Sequence, residues 1–340
     1  MNRLPVSPIC LLGFFLLSFA GKRTEDLHPF VISGTAQGTT YRVSYYSPNA
    51  RVSKTQVDQL LDQIDSSLSV YKPYSLISRF NNSEKGVLMD VHLQTVVSRA
   101  LAISASTGGI SDITVMPLME AWGFGVDGKA DDPDSAAIRK LLPIIGYRKL
   151  RIKGERLIKK KKDVRIDVNG IAQGYAVDLM ANLLEQHGVV NYLVELGGEI
   201  RVRGKKYPGS IPMKIGLEAP GDENSELPVI HQIISIDSGA ITTSGNYRKY
   251  IQLKNGRKVH HLINPFTGYP FVNELISVTV WASDAITADG YDNALMGMGL
   301  HDALEFLSRH QELQAYFLYQ DRDKAVKDTA TKGFPARTLD

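Results

Sequence analysis

The only long apolar stretch in this 340-residue chain is Ile9–Ala20, ICLLGFFLLSFA; beyond it the apolar residues come in short runs. About twelve apolar residues are too few to cross a bilayer, which takes about 20. The rest of the chain must therefore bury its apolar side chains against one another, and local period decides which segments become helix and which strand. Composition permits this: 43% of residues are hydrophobic and 22% charged, so a core can form and wholesale disorder is excluded. At about 150 residues per domain, the length allows two lobes or one large domain.

The apolar stretch follows Arg3, precedes Gly21-Lys22-Arg23 and ends on the small residues Ser18 and Ala20. That pattern predicts a secretory signal peptide over residues 1–20, cut after Ala20. An uncleaved anchor fits the same residues. The expected location is exported and periplasmic, either free or held at the inner membrane by the N-terminal segment. Lys22 occupies the place of a lipid-bearing cysteine, so lipidation is not expected. The single cysteine, Cys10, leaves with the signal, which excludes disulfides and cysteine metal sites from the mature chain. The net charge of +3 is too mild for an electrostatic nucleic-acid binder, so no nucleic-acid partner is expected.

Helical spacing predicts helices over Val57–Leu68, Val91–Thr107, from Asp131–Ser135 to Pro143 or Gly146, Ile171–His187, Asp289–Met298 and Asp302–His310. Alternating or apolar runs predict strands at Tyr41–Tyr46, Lys149–Ile152, Arg156–Ile158, Val164–Val168, Asn191–Leu196, Met213–Leu217, Gln232–Ile236, Ser277–Ala282 and Ala315–Tyr319. A hairpin is expected over Tyr247–Leu253, turning at Asn255-Gly256. Without strict alternation, the fold class is α+β, or mixed α/β. The lysine run Lys159–Lys162 reads as a solvated turn.

Four segments concentrate polar chemistry among small residues. In Thr107–Gly125 a lone Asp112 follows paired glycines, suiting backbone packed against a flat group; Asp112 capping a helix start accounts for the same residues. In Ile166–Asp178 a strand, glycine turn and helix start suggest an anion-binding N-terminus, although the dinucleotide and P-loop spacings are absent. Asp167 there suits a ring N–H or an intervening cation. In His260–Pro270 adjacent histidines on a strand face opposite ways, so only one serves a given pocket. In Ala288–Ala294 a helix puts Asp289, Asp292 and Asn293 on one face, a hard-oxygen set suited to Mg²⁺. A helix start with Asp289 meeting the dipole accounts for that segment equally.

Taken in order, GTAQGT at 34–39, SVYKPYSLISRFN at 69–81, TGGISD…PLMEAWGFG, IDVNGIAQGYAVD, YLVELGGEIRVRG, ITTSGNYRKY, HHLINPFTGYP and ADGYDNALMGMG resemble the ApbE family of FAD:protein FMN transferases. The resemblance runs from about Gly34 to Tyr319. It implies a two-lobed fold over residues 21–340, with FAD in the cleft between the lobes. It implies Mg²⁺-dependent transfer of FMN to a Thr or Ser hydroxyl, releasing AMP. By position, the flavin site would comprise Gln37, Tyr71, Ile110, Ser111, Asp112, Asp167, Gln173 and His261 or Ile263. The metal site would comprise the Gly170 carbonyl, Asp289, Asp292 and Asn293. The family usually carries Met at position 37, Lys or Glu at 173 and Thr at 293. Asn293 keeps an oxygen donor, whereas Gln173 removes a charge. The implied acceptor is an exported or membrane redox subunit of the Nqr or Rnf type, bearing a Ser/Thr flavinylation motif.

Attack on a phosphoanhydride needs charge neutralisation, positioning and a base. His261 is a candidate base because an imidazole accepts a proton at neutral pH. Asp289, binding metal and receiving the proton, is the alternative. Hydrolysis of FAD to FMN and AMP, and flavin binding without catalysis, are the competing activities.

Overall fold

Tyr41, Val43 and Tyr45 are buried while Arg42 between them is exposed, so a strand-period segment can lie flat on a core. The computed structural model describes residues 26–126, 128, 132–220, 229–247, 250–253, 256 and 258–336. The expected signal segment 1–20, the helix-start residue Asp131 and Asn255 of the expected turn lie outside the described residues. The first half runs β1 (His28–Ala36), β2 (Thr39–Ser47), α1 (Lys54–Leu68), α2 (Leu76–Asn82), β3 (Gly86–Leu88), α3 (Val91–Ser106), α4 (Met116–Ala121), α5 (Ser135–Leu141), β4 (Leu150–Lys153), β5 (Arg156–Lys159) and α6 (Asn169–Gln186). The second half runs β6 (Tyr192–Leu196), β7 (Glu199–Arg203), β8 (Met213–Ala219), β9 (Val229–Ile236), β10 (Ser238–Gly245), β11 (Tyr250–Gln252), β12 (Lys258–His260), β13 (Leu275–Ala282), α7 (Ala285–Met298), α8 (Leu300–Ser308), β14 (Gln314–Gln320) and β15 (Val326–Ala330).

Eight strands form one sheet in the order β1-β2-β6-β7-β10-β13-β14-β15. Every neighbouring pair is antiparallel. On one face, Tyr41, Val43, Tyr192, Val194 and Leu196 pack with residues of α1, α3 and α6, while Val278, Val280 and Phe317 pack with α7 and α8. On the other, Val202, Ile241, Tyr316 and Leu318 pack with the β8–β9 hairpin. Smaller sheets are β3-β5-β4 and β11-β12. A separate apolar cluster joins Leu118, Trp122 and Ile138 to Leu253, Val259 and Ile263. This is the expected α+β class. Among the described residues no helix is long and apolar enough to cross a membrane.

The expected strand Val164–Val168 is not one. Its backbone is paired by a side chain instead: Ile166 N–H donates to Asn81 Oδ1 at 2.8 Å, and Asn81 Nδ2 donates to the Ile166 carbonyl at 2.9 Å. The Asp167 N–H then donates to the Ile113 carbonyl at 2.8 Å. A buried amide from α2 thus does what a neighbouring strand would do, and holds the segment that enters α6. Helix α7 also begins earlier than expected, because Asp284 caps it by accepting the Thr287 N–H.

Asn81→Ala strips both partners from the Ile166 backbone. Urea unfolding should show a loss of about 2–4 kcal/mol, the cost of two orphaned buried groups, whereas the exposed neighbour Asn82→Ala should change stability by less than about 0.5 kcal/mol.

Candidate active site

Helices α6 and α7 touch backbone to side chain, and a glycine makes this possible. A Cβ on Gly174 would lie 2.3 Å from the Ala285 carbonyl oxygen and 2.7 Å from Asp289 Cβ. With only hydrogen there, the Gly174 N–H donates to Asp289 Oδ2 at 2.8 Å. One turn along α6, the Asp178 carboxylate accepts from the Ala285 and Ile286 N–H groups, each at 2.9 Å. It thereby meets the positive end of the α7 dipole. Arg201 Nη1 closes the pair at 2.6 Å from Asp178 Oδ1. Burial pushes the Asp178 carboxyl up, and the two N–H donors and Arg201 draw it back.

This contact fixes a cluster of oxygens. Asp289 and Asp292 are both buried on α7, and Asn293 follows. Burial pushes the Asp292 carboxyl well above the usual carboxylate range, and the charges of Asp289 and Glu199 push it further. Asp292 Oδ1 is buried with no hydrogen-bond partner. Asn293 Oδ1 accepts from Ser244 Oγ at 2.9 Å, while Nδ2 faces the Gly170 carbonyl at 3.4 Å. A half-turn of the amide keeps the Ser244 contact and sets Oδ1 beside the Gly170 carbonyl. Two oxygens would then repel unless a cation lay between them. Among the described residues there is no group of three or more His, Cys, Asp or Glu side chains placed to hold a metal. The donors are instead two carboxylates, an amide and a carbonyl, and crowded negative charge with an orphaned oxygen fits a hard divalent cation.

The cluster lines a cleft of about 230 Å³. Of the residues singled out by sequence, Ile110, Ser111, Asp112, Asp167, Gly170, Gln173, His261, Ile263, Asp289, Asp292 and Asn293 all line it. Gln37 and Tyr71 do not. Gln37 sits in the β1–β2 turn with φ of 52°, and Thr39, the first residue of β2, abuts Gly197 of the cleft lining. Tyr71 is 59% exposed and lies beside Asp167 and Asn169.

Asp112 acts as a cap. Its Oδ1 accepts from the Thr114 N–H and hydroxyl at 2.8 and 2.6 Å, and its Oδ2 from the Tyr147 N–H at 2.5 Å. The capping account of Thr107–Gly125 is therefore correct, and Asp112 holds the loop that lines the cleft. Burial raises its carboxyl and these donors oppose the rise. The start of α6 departs from the expected anion cradle, because the Ile171 and Ala172 N–H groups already donate to the Val168 carbonyl. Gly170 there is non-helical, with φ −83° and ψ 18°. The two histidines diverge where β12 ends at His260. His261 lines the cleft with Phe124 edge-on at 6.3 Å, and His260 Nε2 turns to the Phe271 carbonyl at 2.7 Å.

Sequence reasoning missed Glu199 and the β10 residues Thr243, Ser244 and Gly245, all of which line the cleft. The signal for β10 was the hydroxyl run Thr242-Thr243-Ser244, whose Thr243 also meets Thr279 of β13 at 2.9 Å.

Residues 37–317 match the model of the ApbE family. The chain is 35% identical over 299 residues to the FAD:protein FMN transferase of Vibrio cholerae, covering 86% of this chain and 87% of that one. It superposes on the flavin transferase ApbE from Vibrio cholerae with a TM-score of 0.81 at 32% identity, over 91% of this chain and 98% of that one. On the apo form of the Pseudomonas stutzeri flavinyl transferase ApbE the TM-score is 0.80 at 32% identity, over 91% and 96% of the two chains.

Gly174→Ala would force α6 and α7 apart at the oxygen cluster. Thermal unfolding should show a loss of about 1–3 kcal/mol, as for other overpacked contacts. Calorimetric titration with Mg²⁺ should show weaker binding than in the parent.

Proposed function

The chain belongs to the ApbE family, and on that premise we propose that it is an FAD:protein FMN transferase. The observation that carries the proposal is the convergence of Ile110–Asp112, Asp167, Gln173 and Ile263 on one cleft with Gly170, Asp289, Asp292 and Asn293. Segments as far apart in sequence as Ile110 and Asn293 meet around a space lined by both apolar side chains and an oxygen cluster. The apolar side chains suit a flavin ring and the oxygen cluster a diphosphate with its cation. In this reading two lobes close over FAD.

The hydroxyl oxygen of an acceptor Ser or Thr forms a bond to the phosphorus of the FMN half. The bond from that phosphorus to the bridging oxygen breaks, and AMP leaves with the bridging oxygen. Mg²⁺ held by Asp289, Asp292, Asn293 and the Gly170 carbonyl would supply charge neutralisation along the diphosphate. Gly174 N–H and Ser244 Oγ hold Asp289 and Asn293 in place. Asp112 keeps the Ile110–Ser111 backbone against the ring. His261 accepts the hydroxyl proton, since Asp289 is already committed to Gly174 and to the cation. The acceptor is an exported or membrane redox subunit of the Nqr or Rnf type, met on the periplasmic side to which residues 1–20 direct the chain.

The test is to incubate the protein with FAD, Mg²⁺ and the soluble domain of an Nqr-type subunit. A covalent fluorescent acceptor band should appear with one AMP per flavin attached. Asp289→Ala should lower kcat/KM at least about a hundredfold while the melting temperature stays near the parent's. His261→Ala should lower kcat by about 10²–10⁴-fold with little change in FAD affinity. AMP release at full rate without acceptor would make the protein a hydrolase. FAD bound intact, with no product from any acceptor, would make it a flavin-binding protein only.

A further inference from the structure

The transferase reading leaves one strongly charged surface unused. Residues 148–162 carry nine basic side chains and one acidic, in a chain whose net charge is +3. The remainder of the molecule is therefore net −5, and positive charge is segregated onto one hairpin. This is the β4–β5 hairpin with its flanks, including the lysine run that reads in sequence as a solvated turn.

The register shows what the hairpin presents. Leu88 pairs with Arg156, Lys153 with Arg156 and Arg151 with Ile158, so these five side chains share one face of the β3-β5-β4 sheet. Leu150, Leu157 and Lys159 point the other way and are buried. On the outward face Arg151, Lys153 and Arg156 are exposed, Leu88 is 57% exposed and Ile158 is half-buried between them. Arg148, Lys85 and Lys160–Lys162 are exposed at the end of the sheet where β4 and β3 begin and β5 ends. Among the described residues none of these cations makes an ion pair with a carboxylate. Arg148 lies over the Tyr147 ring at 5.5 Å, and Lys161 donates to the Pro143 carbonyl at 3.0 Å. None of these residues lines the cleft.

We propose that this sheet face is a docking surface for an anionic lipid bilayer. A small ligand would need a concave site with aimed donors, whereas this face is an open three-stranded sheet bearing cations on long stems. Such unpaired point charges suit a diffuse negative surface. Leu88 and Ile158 among them suit the boundary between headgroup and acyl chain, where apolar side chains gain area and flanking cations stay wet. The remainder of the chain is net negative, so an anionic surface favours the approach of this face. The inference is independent of the flavin chemistry, since it needs neither FAD nor a metal.

The test is flotation of the full chain with vesicles of phosphatidylcholine alone, or of three parts phosphatidylcholine to one of phosphatidylglycerol. The parent should bind the anionic vesicles at low salt and release at about 0.5 M sodium chloride, where screening reaches within a few Å. The triple variant Arg151→Glu, Lys153→Glu, Arg156→Glu should lose roughly tenfold or more in affinity, with the parent's melting temperature and FAD binding retained. If that variant does not fold, Lys160→Gln, Lys161→Gln, Lys162→Gln repeats the comparison in the turn after β5. Equal binding to neutral and anionic vesicles would overturn the proposal, because the apolar N-terminal segment alone would explain it. Parent-like binding by the charge variants would overturn it too. So would tighter binding to duplex DNA or to an acidic protein domain than to anionic vesicles.

Discussion

Asp178 reaches from the middle of α6 to the first two free N–H groups of α7, with Arg201 of β7 behind it. Three elements meet at that carboxylate: α6, the helix that carries Asp289, Asp292 and Asn293, and a central strand of the main sheet. Removing one partner of such a buried pair costs about 3–5 kcal/mol, because the other charge is stranded. One turn nearer the cleft, Gly174 lets the two helices approach until an N–H of one binds a carboxylate of the other. The approach of Gly170 to Asn293 and of Gly174 to Asp289 depends on this lock. Without it, Gly170 and Asn293 would be parts of two unrelated surfaces.

The lock gathers charge that would otherwise disperse. Asp292 is buried beside Asp289 and Glu199, and its carboxyl is raised accordingly. Folding alone gains nothing from such crowding. In the proposed reading, a hard cation bound there would reverse the sign of each interaction and relieve the crowding. This is the common arrangement by which a protein stores in its fold the energy that later orients a ligand. In the proposed reading the weak overall charge follows the same logic, since phosphates would be met by a few placed groups inside the cleft.

Much of this was legible from periodicity. The long helices and the strands that bury alternate residues, such as Tyr41–Tyr46 and Ser277–Ala282, announce themselves because tertiary packing reinforces the local pattern. Val164–Val168 misled because its partner is the Asn81 side chain, 85 residues before Ile166, which no local pattern reveals. β10 was missed because Thr242 and Ser244 are buried hydroxyls, so polarity does not alternate along it. The start of α7 was misjudged because the cap is Asp284, five residues before Asp289, where the helix was expected to begin. Within the cleft, the motifs named most of the lining residues, but the α6–α7 contact that joins them was invisible. Gln37 and Tyr71 were placed by resemblance alone, and they lie outside the lining.

The antiparallel order of the main sheet leaves β1 and β15 as its two outer strands among the described residues. An open strand edge is a template for another chain, and runaway pairing is the usual hazard for a sheet of this width. β1 begins His28-Pro29, and Pro29 withholds a donor from any chain that would add alongside. β15 reads Val326-Lys327-Asp328-Thr329-Ala330, five residues with both signs of charge. An eight-stranded sheet with two open edges needs them to end cleanly. Pro29, Lys327 and Asp328 are therefore positions where apolar replacements would cost solubility long before they cost fold.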